Sequence, residues 1–183
     1  ELGQFVAALD HCSEMGKGQT VIVRGEAGVG KSRLVEEFSN LAQAKEFAIH
    51  TGLILDFGTA KGQDAIGALV RGLLDIPRGS GKAMRAEAAR RAVNSGWIPE
   101  ERLVHLNDLL DLPQPSNLAG IHEAMDNATR NLGKQETLGD LIQIKSEATN
   151  LLVRIEDTHW ADQVILAHLA HLVRAVQSIP VLL

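Results

Sequence analysis

The sequence predicts an α/β fold with three layers, a mainly parallel central sheet covered on both faces by helices. Two observations predict it. Apolar, β-branched runs at residues 20–23, 47–55, 151–155 and 180–183 alternate with segments of helical period, and strands separated by helices build parallel sheets. In addition, a glycine-rich stretch at residues 25–30 lies between the first of these runs and an amphipathic helix.

The elements follow in order. Leu2, Phe5, Val6, Leu9, Cys12 and Met15 recur at helical spacing, and Gly16 and Gly18 end that helix. Thr20-Val21-Ile22-Val23 reads as a buried strand. A helix from Lys31 to about Lys45 buries Leu34, Val35, Phe38 and Leu41, and Phe47–Leu55 reads as the second strand. Residues 63–75 form a helix with Ile66, Leu69, Val70, Leu73 and Leu74 on its apolar face. Further helices are predicted over 82–94, 99–111 and 117–149, the last with a turn near Gly133, so that residues 60–149 read as a helical insertion. Leu151–Ile155 is the third strand, a helix spans about Asp162 to Val176, and Pro180 opens a fourth strand.

Composition narrows the function classes. At 183 residues, with 45% hydrophobic and 22% charged residues, the chain reads as one globular domain over residues 1–183. A net charge of -5, 3% aromatic residues and no Tyr argue against a nucleic-acid binder, which needs a basic face or stacking rings. Cys12 is the one cysteine, which permits no internal disulfide and no Cys-based zinc site and fits a reducing cytoplasm. No apolar run is long enough to span a membrane, and no signal peptide is present. The chain opens on Glu1 and stops within an apolar strand, which reads as a fragment of a longer protein.

Gly25-Glu26-Ala27-Gly28-Val29-Gly30-Lys31-Ser32 satisfies G-x-x-x-x-G-K-[ST], the phosphate-binding loop. A random chain of this length carries the pattern roughly once in a hundred. Glycines let the backbone wrap with its N–H groups inward, and the following helix adds its positive end. Gly25 to Arg33 are therefore the predicted nucleotide contacts, with Lys31 reaching the β- and γ-phosphates and Ser32 holding magnesium. The second half of such a site is an acid at a strand end. Glu156 and Asp157 end the apolar strand 151–155; Glu156 is assigned to magnesium and Asp157 to the attacking water, and these roles are exchangeable. A guanine-reading N-K-x-D stretch is absent, so ATP is preferred over GTP by elimination.

Other signals weigh less. Asp56-Phe57-Gly58 mimics a kinase motif, but the segment before it lacks a kinase lobe. His168 and His171 read as helix-face histidines without a third metal ligand, and Lys82, Arg85, Arg90 and Arg91 as a solvated helix face. Trp160 is expected to pack its loop against the sheet, and His159 is a lesser candidate for phosphate or water contact. Arg154 is odd in a central strand and calls for a carboxylate partner or a less buried strand.

The stretches GEAGVGKSRL (Gly25–Leu34) and IEDTHWAD (Ile155–Asp162) resemble the ATPase modules of the AAA-related STAND class. These modules are similar to the ATPase domains joined to class III adenylate/guanylate cyclases and LuxR-type regulators of bacteria. The resemblance implies an ASCE-type P-loop NTPase sheet in which the strand at Pro180 lies between the P-loop strand and the Glu156 strand. It also implies a switch in which ATP binding and slow hydrolysis regulate attached output domains of cyclase or helix-turn-helix type, with self-association as a further implication. Of the family's Gly-Arg-x-x-Glu-Leu stretch only Glu1-Leu2 is present, and the last strand, lid and sensor would lie beyond Leu183. Residues 1–183 alone are thus expected to hydrolyse ATP weakly or not at all; the competing expectation is a nucleotide-binding scaffold with negligible turnover.

Overall fold

In the computed structural model, residues 1–54 and 63–183 are described, so the Asp56-Phe57-Gly58 stretch, the end of the strand predicted over 47–55 and the start of the insertion lie outside the described residues. The elements are α1 (Leu2–Met15), α2 (Lys31–Ala44), β1 (Ala48–Leu53), α3 (Gln63–Leu73), α4 (Lys82–Asn94), α5 (Leu103–Leu109), α6 (Ser116–Ala124), α7 (Asn127–Ser146), β2 (Leu151–Glu156), α8 (Gln163–Ala175) and β3 (Val181–Leu182).

The sheet is parallel, in the order β1-β2-β3. β1 pairs with β2 from Ala48↔Leu151 to Leu53↔Glu156, and β2 pairs with β3 through Leu151↔Val181 and Leu152↔Leu182. On the other side of β3, Gln19 bridges Leu182, Leu183 N–H donates to Gln19 O at 2.9 Å, and Val21 N–H donates to Leu183 O at 2.7 Å. β3 therefore lies between the segment leading to the glycine loop and the strand ending in Glu156, as the family resemblance implied. Gly18 allows this approach, because a Cβ there would stand 2.0 Å from Val181 O and 2.3 Å from Val176 O.

The buried strand predicted at Thr20–Val23 is not formed. β-branched residues favour extended backbone, but a strand also needs a ladder. Among the described residues the ladder stops at Val21, and Ile22 stands 68% exposed.

β2 divides its side chains between two cores. Leu151, Val153 and Ile155 enter a large core built with α3, α4, α5, α7 and α8, whereas Leu152 joins a smaller one with Phe5, Leu9, Phe38 and Ala42 of α1 and α2. Phe5 and Phe38 stack at 4.0 Å, locking α1 onto α2. Cys12 belongs to the smaller core, and burial pushes its thiol up to about 11.

Three helical expectations need correction. The turn placed near Gly133 falls instead at Met125-Asp126, where the Asp126 carboxylate accepts from Thr129 N–H at 2.7 Å and caps α7. Gly133 lies within α7 because the His105 ring of α5 occupies the space of its missing side chain, 2.2 Å from an added Cβ. The basic residues of α4 are not simply solvated. Arg85 donates to Leu110 O at 2.7 Å and Arg91 to Leu74 O at 3.0 Å, satisfying carbonyls at the ends of α5 and α3, while Arg90 pairs with Glu87 at 2.6 Å. Residues 99–111 form a 3-10 turn at Glu100–Arg102 followed by the short α5, not one helix. Among the described residues no helix is long and apolar enough to cross a membrane.

Two predictions follow from this packing. Gly133→Ala drives a methyl into the His105 ring and should lower unfolding free energy by about 1–3 kcal/mol in urea titration; an unchanged midpoint would contradict the α5–α7 contact. Burial holds His50, His105 and His168 below the ordinary imidazole range. Asp75 opposes and Lys145 adds to this at His50; Asp108 and Glu136 oppose and Arg102 and Lys134 add to it at His105. At His168 the Val164 carbonyl and Asp162 oppose it, and Lys134 and His171 add to it. Below about pH 6.5 the unfolded chain therefore takes up protons that the folded chain refuses, and stability falls with pH by at most about 1.4 kcal/mol per unit per histidine. Urea midpoints should decline between about pH 7 and pH 5.5, and His168→Gln should flatten that slope.

Candidate functional site

The site is built from two segments at one end of the sheet. α2 ends at Ala44 and the chain enters β1 at Ala48, which pairs with Leu151 at the start of β2. Midway along α2, Ser39 Oγ accepts a hydrogen bond from the Arg154 guanidinium at 2.8 Å. α2 thus runs against β2, and its first turn, with Lys31 and Ser32, lies toward the end where β2 finishes at Glu156.

The glycine loop has the backbone that its composition requires. Gly28 (φ 82°) and Gly30 (φ 96°) are left-handed, a conformation costly for a residue with a Cβ. Gly25 is closed over by its own loop, since an added Cβ would stand 2.9 Å from Val29 Cγ1 and 3.7 Å from Lys31 Cδ. Gly30 caps α2 without any side-chain hydrogen bond, so the first N–H groups of the helix remain available as donors. Lys31 Nζ turns back into the loop and donates to Gly25 O at 2.8 Å and Glu26 O at 2.7 Å. Glu26, Ala27, Val29, Ser32 and Arg33 are exposed. Such a loop, with unpaired N–H donors and one ammonium at a helix start, suits an oxyanion.

At the second segment, the period-two alternation that sends Leu152 to the α2 side sends Arg154 and Glu156 there too. Arg154 is the bridge: one guanidinium nitrogen donates to Ser39 Oγ and another to the Glu156 carboxylate, while its Nε is buried with no acceptor. The oddity of an arginine in this strand thus resolves as a carboxylate pair. Asp157 takes a left-handed backbone (φ 57°) and is exposed, with the ring of His159 3.9 Å away. Chain reversal there leads through a 3-10 turn, Thr158–Trp160, to Asp162, whose side chain accepts from Ile165 N–H at 2.8 Å and caps α8.

Trp160 does not pack the loop against the sheet. It is 46% exposed and lies against His159, ring centroids 4.7 Å apart, while the small Ala161 makes the contact with the large core. His168 is a packed histidine, its Nδ1 2.9 Å from Val164 O, and no group of three metal-binding side chains occurs among the described residues. Ser39 is the residue that sequence reasoning missed. It is buried with Phe38 and Ala42 on the sheet-facing side of α2, but only the fold reveals Arg154 opposite.

A family model describing the AAA ATPase domain matches residues 1–183. No curated protein and no solved structure matches the chain.

The Ser39–Arg154 contact is testable by a double-mutant cycle. Ser39→Ala and Arg154→Met should show a coupling of about 1 kcal/mol in chemical denaturation, whereas strictly additive effects would remove the contact from the fold's support.

Proposed function

Since the chain belongs to the AAA ATPase domain family, which binds and hydrolyses nucleotides, we propose that residues 25–33 are its ATP-binding loop and that Glu156 and Asp157 complete the site. The observation that carries this reading is the Gly25–Ser32 loop itself, left-handed at Gly28 and Gly30 and opening an uncapped helix at the sheet end where β2 delivers its two acids. Gly25, Glu26, Ala27, Gly28, Val29 and Gly30 supply backbone to the phosphates. Lys31 exchanges its carbonyl partners for the β- and γ-phosphate oxygens, and the first turn, with Ser32 and Arg33, faces the same charge. Ser32 and one acid would hold magnesium, which when bound neutralises charge on the phosphates. The other acid orients and polarises the attacking water. Glu156 for metal and Asp157 for water is the preferred assignment, and the exposure of Asp157 supports it.

We read the whole as a regulatory switch, with nucleotide state passed to attached output domains of cyclase or helix-turn-helix type and with self-association as a further part of the reading. The resemblance of Gly25–Leu34 and Ile155–Asp162 to STAND-class modules supports it. The acidic net charge of -5 supports a nucleotide ligand rather than a nucleic acid, and the single, buried Cys12 fits the cytoplasm. One observation favours the second reading, a nucleotide-binding scaffold with negligible turnover: Arg154 already engages the Glu156 carboxylate, so metal must compete for it.

Lys31→Ala should weaken magnesium–ATP binding by about 10- to 100-fold in titration calorimetry, with an unchanged circular dichroism spectrum. Unaltered affinity would take the loop out of the site. Asp157→Asn should keep ATP affinity but cut phosphate release by about 100-fold or more. Equal turnover would remove Asp157 from the chemistry, and no turnover in the unsubstituted chain would favour the scaffold reading.

A further inference from the structure

α5, α6, α7 and α8 line an open cleft of about 530 Å³ to which the glycine loop contributes no residue, within the size range of small-molecule sites. Four of its lining residues, Asn127, Arg130, Asn131 and Lys134, come from the first half of α7. Their spacing of three, four and seven places them on one helical face. Two amides, a guanidinium and an ammonium thus line one wall.

The charges on this wall are not answered from within the fold. Asp108 lines the facing wall, but its Oδ2 lies 3.0 Å from His122 Nε2 and its Oδ1 accepts from Gln114 Nε2 at 3.0 Å. Asp126, whose carboxyl feels Arg130, is exposed and occupied in capping Thr129 N–H. Among the described residues neither the Arg130 guanidinium nor the Lys134 ammonium makes a hydrogen bond or ion pair, and Arg130 Nε is cut off from solvent without an acceptor. A desolvated donor on a charged group is costly unless something accepts from it. Behind Lys134, burial keeps His105 and His168 below the usual imidazole range, so the wall's positive charge is that of Arg130 and Lys134.

We propose that this cleft is a second ligand site, specific for a small organic dianion, a phosphate monoester or a dicarboxylate. Arg130 and Lys134 bind its two charges, Asn127 and Asn131 donate to its oxygens, and the Asp108–His122 pair faces its polar remainder. The site is separate from the glycine loop and does not depend on that loop's function.

The test uses the 183-residue chain carrying Lys31→Ala, so that phosphate at the glycine loop does not contribute. Glycerol 3-phosphate and succinate are titrated separately, following heat and the Arg130 Nε–H resonance. Saturable binding of either probe, with a shift of that resonance, is expected. Binding of the phosphate alone or of succinate alone assigns the ligand class. Arg130→Gln with Lys134→Gln should weaken binding at least about tenfold, or about 1.4 kcal/mol; Lys134→Arg, which keeps the charge, should retain it and serves if the double variant misfolds. No saturable binding of either probe overturns the proposal, as does undiminished binding in a folded Arg130→Gln, Lys134→Gln chain.

Discussion

The alternation of side chains along Leu151–Glu156 is the constraint to which the other elements answer. Leu151 and Val153 are sealed in the large core and Leu152 in the smaller one. With that register set by apolar burial, Arg154 and Glu156 have no choice of face and meet α2. A slip of one residue would turn the guanidinium away from Ser39 and into the large core, where a charge without its partners is costly. The hydrophobic pattern of the strand thereby decides where its charges stand, and the electrostatics of the candidate site follows from packing.

What could be read from the sequence was what local chemistry decides. The glycine loop was legible because its backbone angles are dictated by residues within eight positions of one another. The ends of β2 and α8 were legible because an apolar run, a pair of acids and an Asp cap are local as well. Four features were not. Thr20–Val23 carries a strand's composition, yet its pairing depends on residues 181–183. Gly133 looked like a turn, since nothing nearby reveals the ring of His105. Arg85 and Arg91 looked solvated because the carbonyls they satisfy belong to other helices. Trp160 was expected to anchor its loop, but neighbouring His159 and Ala161 divide the tasks of stacking and burial. In the first three cases a contact distant in sequence overrode a sound local preference.

The resting state of the loop also has an energetic meaning. Lys31 is satisfied by the carbonyls of Gly25 and Glu26, so a ligand must displace two hydrogen bonds before it gains its own. Glu156 is similarly engaged by Arg154. Both halves of the proposed site are thus engaged by protein groups, and a ligand's apparent affinity is reduced to the extent that molecules keep these contacts.

The pairing of Gln19 with Leu182 bears on the order of events during translation. The glycine loop leaves the ribosome before the strand that steadies its base, which is made about 150 residues later. At about 5–20 residues per second, that interval is roughly 8–30 seconds. Throughout it the nascent chain carries an extended, β-branched segment with no ladder to join, open to chaperones and to mispairing with other chains. The proposed nucleotide loop is thus steadied only once β3 has been made, well after the loop's own residues.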